Sequence, residues 1–354
     1  FDVAAWKADK LDEFYKDAFA LAAKKDEKAW HALGEAVFKG PRAQCMKCHG
    51  PTGLGDGSVD DPLFDDWNKP KAGHLDRLIY RFITDDVAAL QALKNGEINL
   101  VFNTTDGSFL WQDSSEKLPT GRVHDWPLQG ICCSPYVEGD RLWYVTSRGE
   151  VKCLDTEGFR DGENDGPFTG EKVQGSDESD TVWVLDMMKE LGVSQHNMCS
   201  CSVTAVGDLL FVNTSNGVDE GHINLPNAAA PSFLCVDKRD GKVLWADGSP
   251  GANVLHGQWS SPAYAVIDDV PQVIFGGGDG WVYGFDARGD NGKAKLLWQF
   301  DANPKESKYV LGGRADRNHV IGTPVVWDGL VYVAVGEDPE HGEGVGHLWC
   351  IDPT

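Results

Sequence analysis

Cys45-Met46-Lys47-Cys48-His49 sets two thiols three positions apart, with an imidazole directly after the second. Thiols at this spacing can form thioethers with the two vinyl groups of a heme, and the adjoining imidazole then reaches the iron. A structural zinc site would need a second ligand pair nearby, and this part of the chain offers none. Cys45 and Cys48 are therefore expected to carry a covalent c-type heme, with His49 as proximal ligand. No Met occurs between Met46 and Met187, so an ordinary His/Met pair within one small domain is not expected. His74, or Met198 arriving from the other half of the chain, is the candidate distal ligand. Heme attachment of this kind takes place outside the cytoplasm, which predicts a periplasmic protein.

A second set of candidates is spread through the later sequence. His196, His256 and His319 stand six, five and four residues before Ser202, Ser261 and Thr323, small residues that each open a β-rich repeat. Two long turns add Asp219, Glu220 and His222 in one repeat and Glu337, Glu340 and His341 in another. In a four-stranded meander the segment entering strand one and the turn between strands two and three lie on the same face. These imidazoles and carboxylates are thus expected to crowd one mouth, within the ~10–15 Å of a ligand pocket. Neutral imidazoles and carboxylates there could hold a metal, a quinone–Ca²⁺ pair or a polar substrate. His196, His256, His319 and Arg317 are the candidate catalytic residues. Asp219, Glu220, Glu337, Glu340 and His341 are the candidate metal ligands of the mouth, and Trp259 and Arg314 could flank a quinone.

The elements that must position these residues change character near Gly96. Before it, apolar residues recur at three and four positions, as in Trp6, Leu11, Phe14 and Phe19, and predict helices. After it, short β-branched and aromatic runs alternate with Gly-Asp and Asp-Gly turns, the sign of antiparallel sheet. We read residues 1–96 as a small helical heme domain and 97–354 as an all-β domain. Ser134, Ser202, Ser261 and Thr323 begin four similar segments, spaced 68, 59 and 62 apart. Each is followed by a strand-turn-strand, a third strand ending in Asp155, Asp237, Asp286 or Asp352, and in three cases a Trp: Trp183, Trp245 and Trp298. Four-stranded units repeated in this way predict propeller blades. The last repeat ends at Thr354 without its Trp. Either an early strand within Glu97 to Trp111 completes the circle or further blades lie outside this chain, and the second is favoured.

Asp237-Lys238-Arg239-Asp240-Gly241-Lys242-Val243-Leu244-Trp245 resembles the tryptophan-docking motif of quinoprotein propellers, and residues 27 to 95 resemble the cytochrome c family around the heme motif. The whole is similar to periplasmic proteins of planctomycetes that join a cytochrome c domain to a quinoprotein-like β-propeller. That resemblance implies a two-domain chain, helical then all-β, carrying one heme c, with pyrroloquinoline quinone plus Ca²⁺ or another metal as a further cofactor. It implies a quinohemoprotein dehydrogenase-like oxidoreductase in which the propeller binds or oxidises a small molecule and the heme relays electrons. The alternative it offers is a scaffold like the outer-membrane assembly lipoproteins, with the heme alone doing electron transfer. A Cys132–Cys133 bridge would match the adjacent-cysteine disulfide of quinoprotein alcohol dehydrogenases. The other reading makes Cys132, Cys133, Cys199 and Cys201 buried small residues, while Cys153, Cys235 and Cys350 are expected in the core on third strands.

Composition narrows the partners. With 354 residues, 41% of them hydrophobic, the chain can fill cores, and no apolar run reaches the length of a membrane span. A net charge of −23 argues against nucleic acid and favours a basic redox partner such as a cationic cytochrome. The chain starts at Phe1 with no signal peptide, which reads as a trimmed, exported terminus.

Overall fold

The computed structural model describes residues 98–102, 108–126, 130–336 and 346–354. The heme motif, His74, Glu337, Glu340 and His341 lie outside the described residues, as does the helical half of the expected architecture. Within them the regular structure is almost all antiparallel β-strand joined by turns and loops, with one five-residue α-helix, Met187–Leu191.

Three sheets have four strands each, ordered as in the chain. The first holds β3 (Tyr136–Glu138), β4 (Arg141–Val145), β5 (Glu150–Asp155) and β6 (Thr181–Asp186). The second holds β7 (Thr204–Val206), β8 (Leu209–Asn213), β9 (Phe233–Asp237) and β10 (Val243–Asp247). The third holds β11 (Ala263–Ile267), β12 (Val270–Gly276), β13 (Trp281–Asp286) and β14 (Leu296–Asp301). A fourth has three described strands, β15 (Val325–Trp327), β16 (Leu330–Val335) and β17 (His347–Ile351). Each is an up-and-down meander, the blade unit of a β-propeller. The core lies in layers between blades. Val145, Val151 and Trp183 of blade one meet Leu210, Leu234 and Val236 of blade two, and Phe211 and Trp245 meet Val273, Phe275 and Phe285 of blade three.

Two repeated contacts fix how successive blades meet. At the inner strands, the Ser134 N–H donates to Ser202 Oγ at 2.9 Å and the Ser202 N–H to Ser261 Oγ at 2.9 Å, so the aligned small residues link blade to blade. At the outer strands, Trp183 Nε1 donates to Lys238 O and Trp245 Nε1 to Ala287 O, in each case the residue after the Asp that closes the next blade's third strand. Each indole also lies over a left-handed glycine of that next blade. A Cβ on Gly241 would sit 2.6 Å from the Trp183 ring, and one on Gly289 2.8 Å from Trp245. Only glycine tolerates both the backbone and the stacking there. Trp298 departs from the pattern and donates to Gln272 Oε1 within its own blade.

The segment before blade one is a hairpin, β1 (Ile98–Phe102) and β2 (Phe109–Ser114). Trp111 of β2 donates to Thr156 O, the same docking contact that Trp183 and Trp245 make. The hairpin therefore takes the place of the third and fourth strands of a preceding blade, beside an apolar hollow of about 260 Å³ lined by Ile131, Cys133, Leu142 and Tyr144. Besides pairing with each other, its strands make one parallel bridge, from Gln112 to Glu178, and among the described residues neither pairs with β17. At the far edge Val325, Trp327 and Leu348 are 59%, 73% and 76% exposed, which leaves that face of blade four uncovered.

The cysteines divide. Cys153 and Cys235 are buried on third strands, but Cys350 is exposed, because β17 is an edge with no described strand beside it. Cys132 and Cys133 do not bridge to each other: Cys132 Sγ lies 3.4 Å from Met198 Sδ, and Cys133 Sγ donates to Val145 O. Cys199 and Cys201 are buried, their thiols meeting Thr214 O and the Asn213 N–H, so these two act as small core residues.

Candidate functional site

The segments that enter strand one lie against the turns between strands two and three, as meander geometry requires. The His196 N–H donates to Ser215 O, the Gly217 N–H to Ser194 O, and the Leu255 N–H to Gly278 O. Val218 ties two blades together: its N–H donates to His256 O, and its carbonyl accepts from His196 Nδ1 at 2.8 Å. This close approach depends on Gly217, where a Cβ would stand 2.6 Å from His256 O and 2.7 Å from His196 Cβ.

The result is a cluster of imidazoles. His196 Nε2 and His256 Nε2 are 2.9 Å apart. His222, at the end of the 219–222 turn, packs its ring 4.8 Å from that of His196 and 4.3 Å from that of His256. One ring nitrogen of each lies within 4.8 Å of those of the other two. His196 and His256 are buried, and His222 is half-buried. The tautomers follow from the partners. Val218 O can only accept, so His196 carries its proton on Nδ1 and turns the Nε2 lone pair toward His256, which donates from Nε2. Burial, reinforced by His256 alongside, pushes the His196 imidazolium down to about 4, so this ring is neutral at ordinary pH. Left-handed backbone at Asn197 (φ 64°) and His222 (φ 55°) aims two of the rings, and such backbone at non-glycine residues clusters at functional sites.

Trp259 and His319 form the adjoining wall. The Trp259 ring stands edge-on to His256 at 5.2 Å and to His319 at 5.5 Å, and its Nε1 donates to His196 O. His319 is buried, 5.9 Å from His256 between ring centres. Of the residues read from sequence, the structure thus brings His196, His256, His319 and Trp259 together and adds His222, which the sequence shows only as part of an expanded turn.

Other candidates are otherwise engaged. Arg317 is buried and structural: Nη2 pairs with Asp301 Oδ1 at 2.6 Å, Nε donates to Asp279 O, and the guanidinium lies over the Tyr309 ring. It braces the loop that carries His319, and these bonds occupy its guanidinium. Asp219 spends its carboxylate on its own turn, accepting from the Ile223 N–H and from the Asn224 N–H and Nδ2. Glu220 and Arg314 are exposed. His124 is bonded to Ser194 Oγ at 3.2 Å, outside the cluster. Met198 is buried with its sulfur against Cys132.

The donors gathered here are nitrogens. Ca²⁺ takes six to eight oxygen ligands, so this imidazole cluster does not fit a quinone–Ca²⁺ pair. In a hollow of about 700 Å³ elsewhere, lined by Asp113, Glu116, Arg148 and Lys152, several charges are paired, Lys152 with Asp113 at 2.8 Å and Lys172 with Glu116 at 3.2 Å.

No protein-family model matches the chain, and no curated protein is a significant match. Among solved structures, it is similar to BamB from Moraxella catarrhalis, with TM-score 0.38, 18% identity, and coverage of 72% of this chain and 53% of that one. It is also similar to the quinohemoprotein alcohol dehydrogenase from Comamonas testosteroni, with TM-score 0.41, 10% identity, and coverage of 72% and 40%. The computationally designed protein Ika8 superposes with TM-score 0.37 and 14% identity, over 73% of this chain and 54% of that one. The chain thus spans about half the length of these structures or less. No helix among the described residues is long and apolar enough to cross a membrane.

Proposed function

We propose that this chain is an exported redox protein whose propeller mouth binds and oxidises a small polar molecule, with electrons leaving through a c-type heme. The convergence of His196, His222, His256 and His319 beside Trp259 supports this reading. Neutral imidazoles next to the indole suit a molecule that loses an O–H or N–H proton when it is oxidised: a ring takes the proton, and the electrons would leave one at a time through the heme to the acceptor. Cys45, Cys48 and His49 would hold the heme, which supplies one-electron transfer when bound. The −23 charge steers a basic acceptor toward the chain, and heme attachment of this type supports a periplasmic location.

The test begins with intact mass, which should exceed the polypeptide by one heme and return to the bare value in the Cys45→Ala, Cys48→Ala double variant. Anaerobic mixing with a panel of small alcohols, aldehydes and amines should then reduce the heme in the wild type. His256→Ala and His319→Ala should abolish that reduction with the heme spectrum intact. A scaffold would show no reduction with any of the panel, which would sink the oxidising role.

A further inference from the structure

We propose that His196, His222 and His256 together bind one first-row transition-metal ion of the copper or zinc class, at a site built by the 215–222 turn across two blades.

The turn is the template. Val218 accepts from His196 Nδ1 and donates to His256 O, and four residues later the same turn delivers His222 to both rings. A carbonyl on the far nitrogen is how proteins fix the tautomer and orientation of a metal-binding imidazole. Here that bond leaves the His196 Nε2 lone pair facing the cluster. His222 has no hydrogen-bond partner for its ring among the described residues and meets the two other imidazoles edge-on or tilted. A hydrogen-bonded pair of histidines accounts for the 2.9 Å contact but gives no reason for a third imidazole held in left-handed backbone against it.

The distances fit with a small closure. Metal–nitrogen bonds of about 2.0–2.1 Å place ligand nitrogens roughly 3.3–3.5 Å apart. The pair at 2.9 Å must open by about 0.5 Å and none is beyond 4.8 Å, so a shift of at most about 1.5 Å by the half-buried His222 completes the set. His256 would move its proton from Nε2 to Nδ1, a tautomer change with no net proton release. The donor set also selects the ion. Three imidazole nitrogens suit copper or zinc and not calcium or magnesium, and the nearby Asp219 oxygens are held by Ile223 and Asn224. Three protein ligands leave a fourth position for water or a ligand atom, the pattern of an open site. His319, further from His256 than either partner ring, lies outside the set.

Metal binding here does not require the heme, and a bound ion would take the lone pairs of the three imidazoles and leave His319 to accept the proton in the oxidation proposed above, so failure of the site would leave both standing. Tag-free full-length protein is stripped with chelator and dialysed against Cu²⁺, Zn²⁺ or Ca²⁺, and bound metal is counted by elemental mass spectrometry. We expect one equivalent of copper or zinc and no calcium, with nitrogen superhyperfine splitting from three imidazoles in the copper electron paramagnetic resonance spectrum. His222→Ala should lower affinity by more than the roughly 10–100-fold typical of losing a group that merely orients a ligand. Because His222 sits half-buried on a turn, the unfolding curve of the stripped variant should match the wild type. His347→Ala, on the outer strand of blade four, should bind as the wild type does. Equal binding by wild type and His222→Ala, or a copper spectrum without nitrogen splitting, would overturn the site.

Discussion

Replacing Asp279 with Asn should stabilise the protein at neutral pH, and the gain should vanish in acid. Asp279 is 2% exposed in the turn between β12 and β13, accepting from Tyr283 Oη at 2.7 Å and from the Trp281 N–H at 3.1 Å. Burial outweighs these bonds and the nearby Arg317, and pushes its carboxyl up to about 6. The unfolded chain holds it near 3.8. As pH rises from below 3.8 to above 6, the unfolded state gives up its proton first, so stability is present in acid and lost as pH climbs through that window. A shift of about two units at 1.36 kcal/mol each makes the loss about 3 kcal/mol, of which about 2 kcal/mol falls between pH 4.5 and 7.5. Asn keeps the acceptor for the Trp281 N–H, and its amide can donate to Tyr283 Oη, which exchanges donor for acceptor. Urea unfolding followed by tryptophan fluorescence should show Asp279→Asn more stable by about 2–3 kcal/mol at pH 7.5, with the difference shrinking toward pH 4.5. A difference that stayed flat with pH, or a variant less stable at pH 7.5, would refute the claim that a buried carboxylate is held there at a cost.

Trp245→Ala should cost about 3–5 kcal/mol, because the indole is 1% exposed, stacks between two blades and loses its bond to Ala287 O. Trp298→Ala, whose indole bonds only within its own blade, should cost distinctly less in the same unfolding assay, and equal losses would argue against docking as the inter-blade clamp. Gly217→Ala pushes a Cβ to 2.6 Å from the His256 carbonyl, so it should destabilise by about 1–3 kcal/mol and weaken copper binding together with thermal stability. A variant with unchanged melting and unchanged copper affinity would show that the two segments have room to part.

The blades are legible in the sequence because their information is local. Alternating apolar residues, Gly-Asp and Asp-Gly turns and a Trp after each third strand mark β4 to β6, β8 to β10 and β12 to β14, and the aligned serines turn out to be the inter-blade links. Meander geometry also places the segments carrying His196, His256 and His319 against the turns of one face, since that follows from strand order alone. Pairing between distant parts is not legible. Arg317 looks like a free cation until Asp301, sixteen residues away, takes it. Asp219 looks like a ligand until Ile223 and Asn224 fold back onto it. The stretch from Glu97 to Trp111 reads as at most one strand, whereas it holds a hairpin whose Trp111 docks on Thr156. His222 becomes part of the cluster only because left-handed backbone at two non-glycine residues turns its ring and that of His196 inward, and because Gly217 lets a segment near residue 256 approach one near residue 196. Period-two alternation specifies which residues face a core, whereas the direction of a side chain on a long turn is set by contacts with a neighbouring blade some sixty residues away. Local order belongs to the sequence, and the meeting of the three imidazoles is decided by the packing of blade against blade.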